Sequence, residues 1–249
     1  MVLRKSSSAG EKKTRRSKKE TAIITNSLQQ SEAFPQSNEY KTLHPKNDNQ
    51  RKYLQSLIDN TITIASGPPG TAKTLLALYY AFHQRKSGAI DKIYYIKPFV
   101  GSKWERDIGA VPGEAEDKLA FAMLDPVKLN LTVFMSEGEC RYHIEKKNIE
   151  PVLFANIRGA SYRNAIILLD EAQNVPPEAI KTALTRLGTG SKIVIMGDPK
   201  QSDIDILVNG LSDAVKRLAG IPEIGIVNFT KDDIVRHGLI KTILQRYGE

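Results

Sequence analysis

Apolar and polar positions alternate along this chain in short blocks whose period switches repeatedly. From Asn47 onward, Gln50, Tyr53, Leu54, Leu57 and Ile58 recur at helical spacing and predict a helix with one apolar face. Thr61 to Ala65 is a short β-branched and apolar run, the mark of a buried strand. An apolar helical pattern follows from Leu75 to Phe82 and runs to about Lys86. Further buried strands are expected at 93–96, 166–169, 192–196 and 225–229. Helices are expected from Pro176-Pro177 to Leu187, from Leu207 to Leu218, and from Asp232 to Tyr247. Residues 99–150 are less regular: a turn at Gly109 to Gly113, a helix from Glu114 to Met123, and a weaker helix from Glu139 to Lys147. Strands alternating with helices at crossover spacing predict an α/β fold with a mostly parallel sheet covered by helices on both faces. Residues 1–42 are rich in Ser, Lys, Gln and Asn, lack apolar periodicity, and read as a basic, mostly disordered tail. Residues 43–249 read as one domain, without internal repeats.

The most specific signal sits between the first strand and the next helix. Gly67, Pro68, Pro69, Gly70, Thr71, Ala72, Lys73 and Thr74 form a phosphate-binding P-loop in its required strand–loop–helix context. Such a loop points unpaired N–H groups at one spot, which suits an anion. Lys73 has the reach for β- and γ-phosphates, and the Thr74 hydroxyl suits magnesium. Ala72 stands where glycine is expected before the lysine, and it is accommodated if its backbone stays at φ < 0.

A partner motif follows a hundred residues later. Ile166 to Leu169 reads as a buried strand ending in Asp170 and Glu171. Adjacent strand residues point to opposite faces, so the two carboxylates should do different jobs. Asp170 is expected to hold magnesium through water, and Glu171 to orient and deprotonate the attacking water. Gly197-Asp198-Pro199-Lys200-Gln201 also follows a buried strand, with Gln201 placed for the γ-phosphate or the water; read alone it is a turn. Lys97 closes a fourth strand. Ligands gather beyond the C-terminal ends of parallel strands, where all these groups fall.

Gln50 offers a donor–acceptor pair for a base edge, or is a plain helix-surface glutamine. Arg158, Arg163, Arg186 and Arg236 are candidates for the extra cation a triphosphate site needs. Arg186, late in a helix, is also favoured there by the dipole alone. Trp104 suits an interface, a stacking platform or the domain's own core. The four histidines lack metal-ligand spacing.

Charge changes the picture only at one end. Residues 1–20 hold eight basic residues against two acidic ones, which is six of the chain's eight net positive charges. A basic tail contacts nucleic-acid phosphates without reading bases, or simply keeps a protein soluble. One cysteine, Cys140, excludes an internal disulfide and a cysteine-based zinc site. No apolar stretch approaches spanning length and no secretory signal is visible, so a cytoplasmic protein without membrane contact is expected.

Taken together, these motifs resemble the PhoH family of ATPases, relatives of superfamily 1 helicase motors. The likeness covers roughly Asn47 to Tyr247. It rests on Gly67 to Thr74, Ile166 to Asn174, Leu184 to Gly188, Gly197 to Gln201 and Val235 to His237. The resemblance implies ATP and magnesium as cofactors, a hexameric ring, and a link to phosphate starvation. Relatives with an added nuclease domain have been linked to RNA unwinding. It assigns Gln50 to adenine, Lys73 and Thr74 to phosphates and magnesium, Asp170 and Glu171 to magnesium and water, and Gln201 to the γ-phosphate. It also favours Arg186 and Arg236 among the arginines. Ala72, Lys97 in place of an arginine, and the missing nuclease domain depart from the pattern; Ala72 bears on turnover rather than on nucleotide binding, and a compact motor with a short tail suggests a stand-alone, phage-encoded member.

Three functions compete at this point. The first is an ATPase coupled to RNA or single-stranded DNA. The second is an ATP-dependent oligomeric switch or assembly protein without translocation. The third, a small-molecule kinase, lacks an arginine-rich lid.

Overall fold

Six strands line up in one sheet, all parallel, in the order β3-β2-β4-β5-β1-β6. The computed structural model describes residues 40–98, 115–203, 209–235 and 246, and the side chains of all of these except 115–122 and 155. In chain order the elements are α1 (Asp48–Asp59), β1 (Ile62–Ser66), α2 (Lys73–Lys86), β2 (Lys92–Ile96), α3 (Ala115–Leu131), α4 (Glu137–Glu145) and β3 (Ile149–Val152). They continue with β4 (Ala165–Leu169), α5 (Pro177–Leu184), β5 (Lys192–Gly197), α6 (Gly210–Leu218) and β6 (Ile224–Asn228). Short 3₁₀ turns occupy Phe154–Ile157, Ala172–Asn174 and Lys231–Asp233.

The central strands are apolar at nearly every position because both faces are covered. All five residues of β4 are buried. Ile64, Ile167, Leu169, Ile193 and Ile195 pack with Ile180 and Ala183 of α5 and Leu211 and Ala214 of α6. Their neighbours in sequence, Ala65, Ile166, Leu168, Val194 and Met196, are buried on the opposite face. There α1, α2 and α3 pack in a row. Register aligns the strand ends: Ser66 lies beside Gly197, and Leu169 beside both Ile96 and Ile195. Phosphate loop, carboxylates and the turn after β5 are thereby brought to one edge of the sheet.

Several expectations need correction. Strand β3 is not among the strands the pattern predicts; it is an edge strand, so Pro151 removes no needed ladder bond. Helix α3 continues through Pro126 to Leu131, well past Met123, because Val127 and Leu131 are fully buried and hold its second half to the core. Helix α5 stops at Leu184, so Arg186 lies beyond it, where its carbonyl accepts from the Tyr162 N–H. Of the helix expected from Asp232 to Tyr247, the start is a 3₁₀ turn at Lys231–Asp233, capped reciprocally by Thr230 and Asp233, and residues 236–245 lie outside the described residues. Val235 then donates its N–H to the Gly70 carbonyl, which pulls the backbone toward the P-loop. The Tyr40 hydroxyl is hydrogen-bonded to His143 Nε2 at 3.0 Å, and the Lys41 N–H donates to the Phe134 carbonyl.

Candidate functional site

The loop between β1 and α2 is shaped by close approaches. A Cβ on Gly67 would lie 2.4 Å from the Phe229 carbonyl oxygen, so only glycine fits there. The Lys73 ammonium donates to the carbonyls of Gly67 at 2.7 Å and Pro68 at 2.8 Å, and to Thr71 Oγ1 at 3.2 Å. The loop curls around its own lysine, and the cation satisfies carbonyls that point inward.

Ala72 corrects the reading of this loop. Its φ is 69° and its ψ 25°, the left-handed region, not φ < 0. The turn that aims the N-terminal amides of α2 needs this conformation, and an L-residue with a Cβ adopts it at a cost of about 1–2 kcal/mol.

The carboxylates also differ from the strand picture. Strand β4 ends at Leu169, and Glu171 has a φ of 53°, again left-handed. This turn, not strand alternation, directs the two side chains, and both line the same cleft. Sparsely populated backbone of this kind concentrates at functional sites. Asp170 Oδ2 accepts from the Thr74 hydroxyl at 3.0 Å and from the Tyr95 hydroxyl at 2.9 Å. Burial, reinforced by the neighbouring Glu171 charge, raises the Asp170 carboxyl above its ordinary value; the bonds from Tyr95 and Thr74 and the Glu171 N–H oppose this. Burial likewise pushes the Tyr95 phenol well up, so it remains a donor.

Glu171 is half-exposed, with Lys97 Nζ 4.0 Å from its Oε1 and Gln173 Nε2 donating to its Oε2 at 2.8 Å. The cleft holds about 310 Å³. Lys73, Thr74, Asp170, Glu171 and Gln201 converge on it from three strand ends. A hydroxyl and a carboxylate whose charge burial disfavours fit a divalent cation that arrives with phosphates. Among the described residues no group of three or more His, Cys, Asp or Glu could hold a metal by itself.

Other candidates stand apart. Gln50 is 2% exposed; its Oε1 accepts from the Lys46 N–H at 2.7 Å and its Nε2 donates to the Thr71 carbonyl at 3.1 Å. Its amide braces the P-loop from behind and does not line the cleft. Arg158 and Arg163 are exposed, and neither they nor Arg186 line the cleft. Arg236 and Trp104 lie outside the described residues. Sequence reasoning missed Tyr95 and Gln173. Both are buried polar groups whose partners are distant in sequence, and only their place at or just after strand ends hinted at a role.

The family described as PhoH-like protein matches residues 42–248. The PhoH-like protein of Bacillus subtilis (strain 168) is 35% identical over 210 residues, covering 84% of this chain and 65% of the relative. The PhoH-like protein of Mycobacterium tuberculosis (strain H37Rv) is 36% identical over 219 residues, covering 84% of this chain and 58% of the relative. This chain thus spans less than two thirds of the length of either. Among solved structures, the large terminase of a thermophilic bacteriophage, in complex with ADP, is 14% identical. Its TM-score is 0.49, over 80% of this chain and 49% of that one. No helix among the described residues is long and apolar enough to cross a membrane.

Proposed function

This chain belongs to the PhoH-like family of P-loop ATPases, and we propose that it hydrolyses ATP to ADP and phosphate with magnesium. The observation that carries the reading is the convergence of Lys73, Thr74, Asp170, Glu171 and Gln201 on one cleft at the N-terminus of α2. Backbone amides of the loop and Lys73 bind the phosphates. Thr74 and Asp170 would hold magnesium, which when bound neutralises charge between the β- and γ-phosphates. Glu171 accepts the proton of the attacking water, and Gln201 orients the water or the γ-phosphate. The test is Glu171→Gln, which keeps shape and removes the base. Turnover should fall about 10²-fold or more, with ATP still bound by calorimetry. Near wild-type turnover would overturn the assignment.

We further propose that turnover is coupled to RNA or single-stranded DNA, with subunits arranged as a ring, most simply a hexamer in the cytoplasm. Support comes from the basic residues at 1–20 and from the family. An oligomeric switch without nucleic acid is the competing reading. Stimulation of ATP turnover by single-stranded RNA or DNA, falling with salt, separates the two. A rate indifferent to both favours the switch.

A further inference from the structure

We infer that Gln173 is a positioning residue that locks the Glu171 carboxylate to the loop after β5, so that base and γ-phosphate sensor move as one unit. This rests on the ATPase reading above. Gln173 is 1% exposed, in the 3₁₀ turn that follows Glu171. Its Nε2 donates to Glu171 Oε2 at 2.8 Å and to the Gln201 carbonyl at 3.1 Å. Its Oε1 accepts from the Asp198 N–H at 3.1 Å. Both amide hydrogens are used, one on the turn after β4 and one on the loop after β5.

The surroundings are built around this amide. A Cβ on Gly197 would lie 2.2 Å from Gln173 Oε1, so the last residue of β5 is the one type that leaves room. The next residue continues the junction. Asn174 Nδ2 donates to Asp203 Oδ2 at 3.1 Å, and the Asp203 N–H donates to Asn174 Oδ1 at 2.8 Å. Ser202 Oγ donates to the Gln173 carbonyl at 3.3 Å. The turn at 172–174 and the loop at 198–203 are thus joined by side chain and backbone.

A purely structural glutamine would need to satisfy only the buried Asp198 N–H and the Gln201 carbonyl. The bond to Glu171 goes further. Glu171 is half-exposed and can be solvated without help. Holding it fixes one carboxylate oxygen and leaves the other toward Lys97 and the cleft. Any shift of the 198–201 loop, which carries Gln201, is then transmitted to the base.

The test is a double-mutant cycle on ATP turnover, with ATP affinity measured separately by calorimetry. Gln173→Ala in the otherwise native protein should lower kcat about tenfold or more while KM and ATP affinity stay within about threefold. In a Glu171→Asp background, whose shorter carboxylate cannot reach the amide, Gln173→Ala should cost less than about threefold further. The stoichiometry of ATP binding by calorimetry and the melting temperature guard against misfolding, because an unfolded fraction lowers the number of binding sites and a mispositioned base does not. Equal losses in both backgrounds, or an affinity loss matching the loss of kcat, would overturn the inference. If Glu171→Gln itself leaves turnover intact, the ATPase assignment fails instead, which the same set of measurements reveals.

Discussion

The Thr74 hydroxyl donates a 3.0 Å hydrogen bond to Asp170 Oδ2, joining the first turn of α2 to the end of β4. Strand β5 separates β1 from β4 in the sheet, so this bond spans the strand whose end carries Gly197 and Asp198. It brings together the two groups suited to magnesium and keeps them in place before any cation arrives.

The ligand-free protein should be destabilised by Asp170. Its carboxyl is raised above the ordinary value, chiefly by burial. A raised acid favours the fold while it is protonated, and that contribution is lost as pH rises through the folded-state value. Asp170→Asn should therefore raise the melting temperature of the ligand-free protein by a few degrees near neutral pH. The difference should shrink as pH falls toward the ordinary carboxylate range. The variant should also lose most of the extra stabilisation that magnesium and ADP give the wild type. A lower melting temperature at pH 7 would show that the carboxylate's hydrogen bonds outweigh its burial.

Ala72 should be a site of strain that one substitution relieves. Ala72→Gly removes the Cβ from a backbone at φ 69°. The gain of about 1–2 kcal/mol is partly offset by the greater freedom of glycine in the unfolded chain. A net stabilisation of about 1 kcal/mol corresponds to about 2–4 °C in a chain of this size. Thermal and urea unfolding measure it, and a loss of stability would mean the loop prefers alanine for another reason.

How far the sequence discloses this protein follows from whether each signal is local. Strands β1, β2, β4 and β5 were legible because strands with a neighbour on each side are largely buried and need apolar runs, edge strand β6 because Ile224, Ile226 and Val227 keep its run apolar, and the P-loop because its chemistry is carried by adjacent residues. Edge strand β3 was not, since Glu150 and Pro151 break the run where only one neighbour is required. The second half of α3 was hidden by Pro126, whose cost is offset by burial of Val127 and Leu131. Lys73, Thr74, Asp170, Glu171 and Gln201 are singled out by their sequence context, and they line one cleft. Tyr95 and Gln173 were not, because their roles exist only through partners brought together by strand order.

Lys73 should be the main determinant of phosphate affinity. Its ammonium already bonds the carbonyls of Gly67 and Pro68 and the Thr71 hydroxyl, so binding ATP exchanges or shares those partners. A charged hydrogen bond contributes about 1.5–3 kcal/mol, so Lys73→Ala should weaken ATP about 10²-fold with the sheet intact. Unchanged affinity by calorimetry would sink the role.

Gln50 should matter for the loop more than for the base. Its amide is held between the Lys46 N–H and the Thr71 carbonyl, out of the cleft. Gln50→Ala leaves those groups unpaired and should cost about 1–3 kcal/mol of stability. It should weaken ATP and GTP by the same factor. A loss confined to ATP would restore the adenine-reading role that the family resemblance implies.

A triphosphate site needs an extra cation in the transition state. Lys97 faces Glu171, and none of Arg158, Arg163 and Arg186 reaches the cleft of its own chain. An arginine supplied by a neighbouring subunit would complete the site, as arginine fingers do in other phosphoryl-transfer enzymes, and repeated head-to-tail contacts close into rings. Arg236 is our first candidate and Arg186 the second. Arg236→Ala and Glu171→Gln should each be poorly active alone. Mixed in one ring, some interfaces pair an intact Glu171 with an intact Arg236 from the adjacent subunit, so turnover should recover above either parent. Light scattering with ATP present establishes that rings form, and differently tagged subunits establish that they are mixed. No recovery in demonstrably mixed rings would place Arg236 in its own subunit's site or outside catalysis. The same exchange with Arg186→Ala then decides the second candidate.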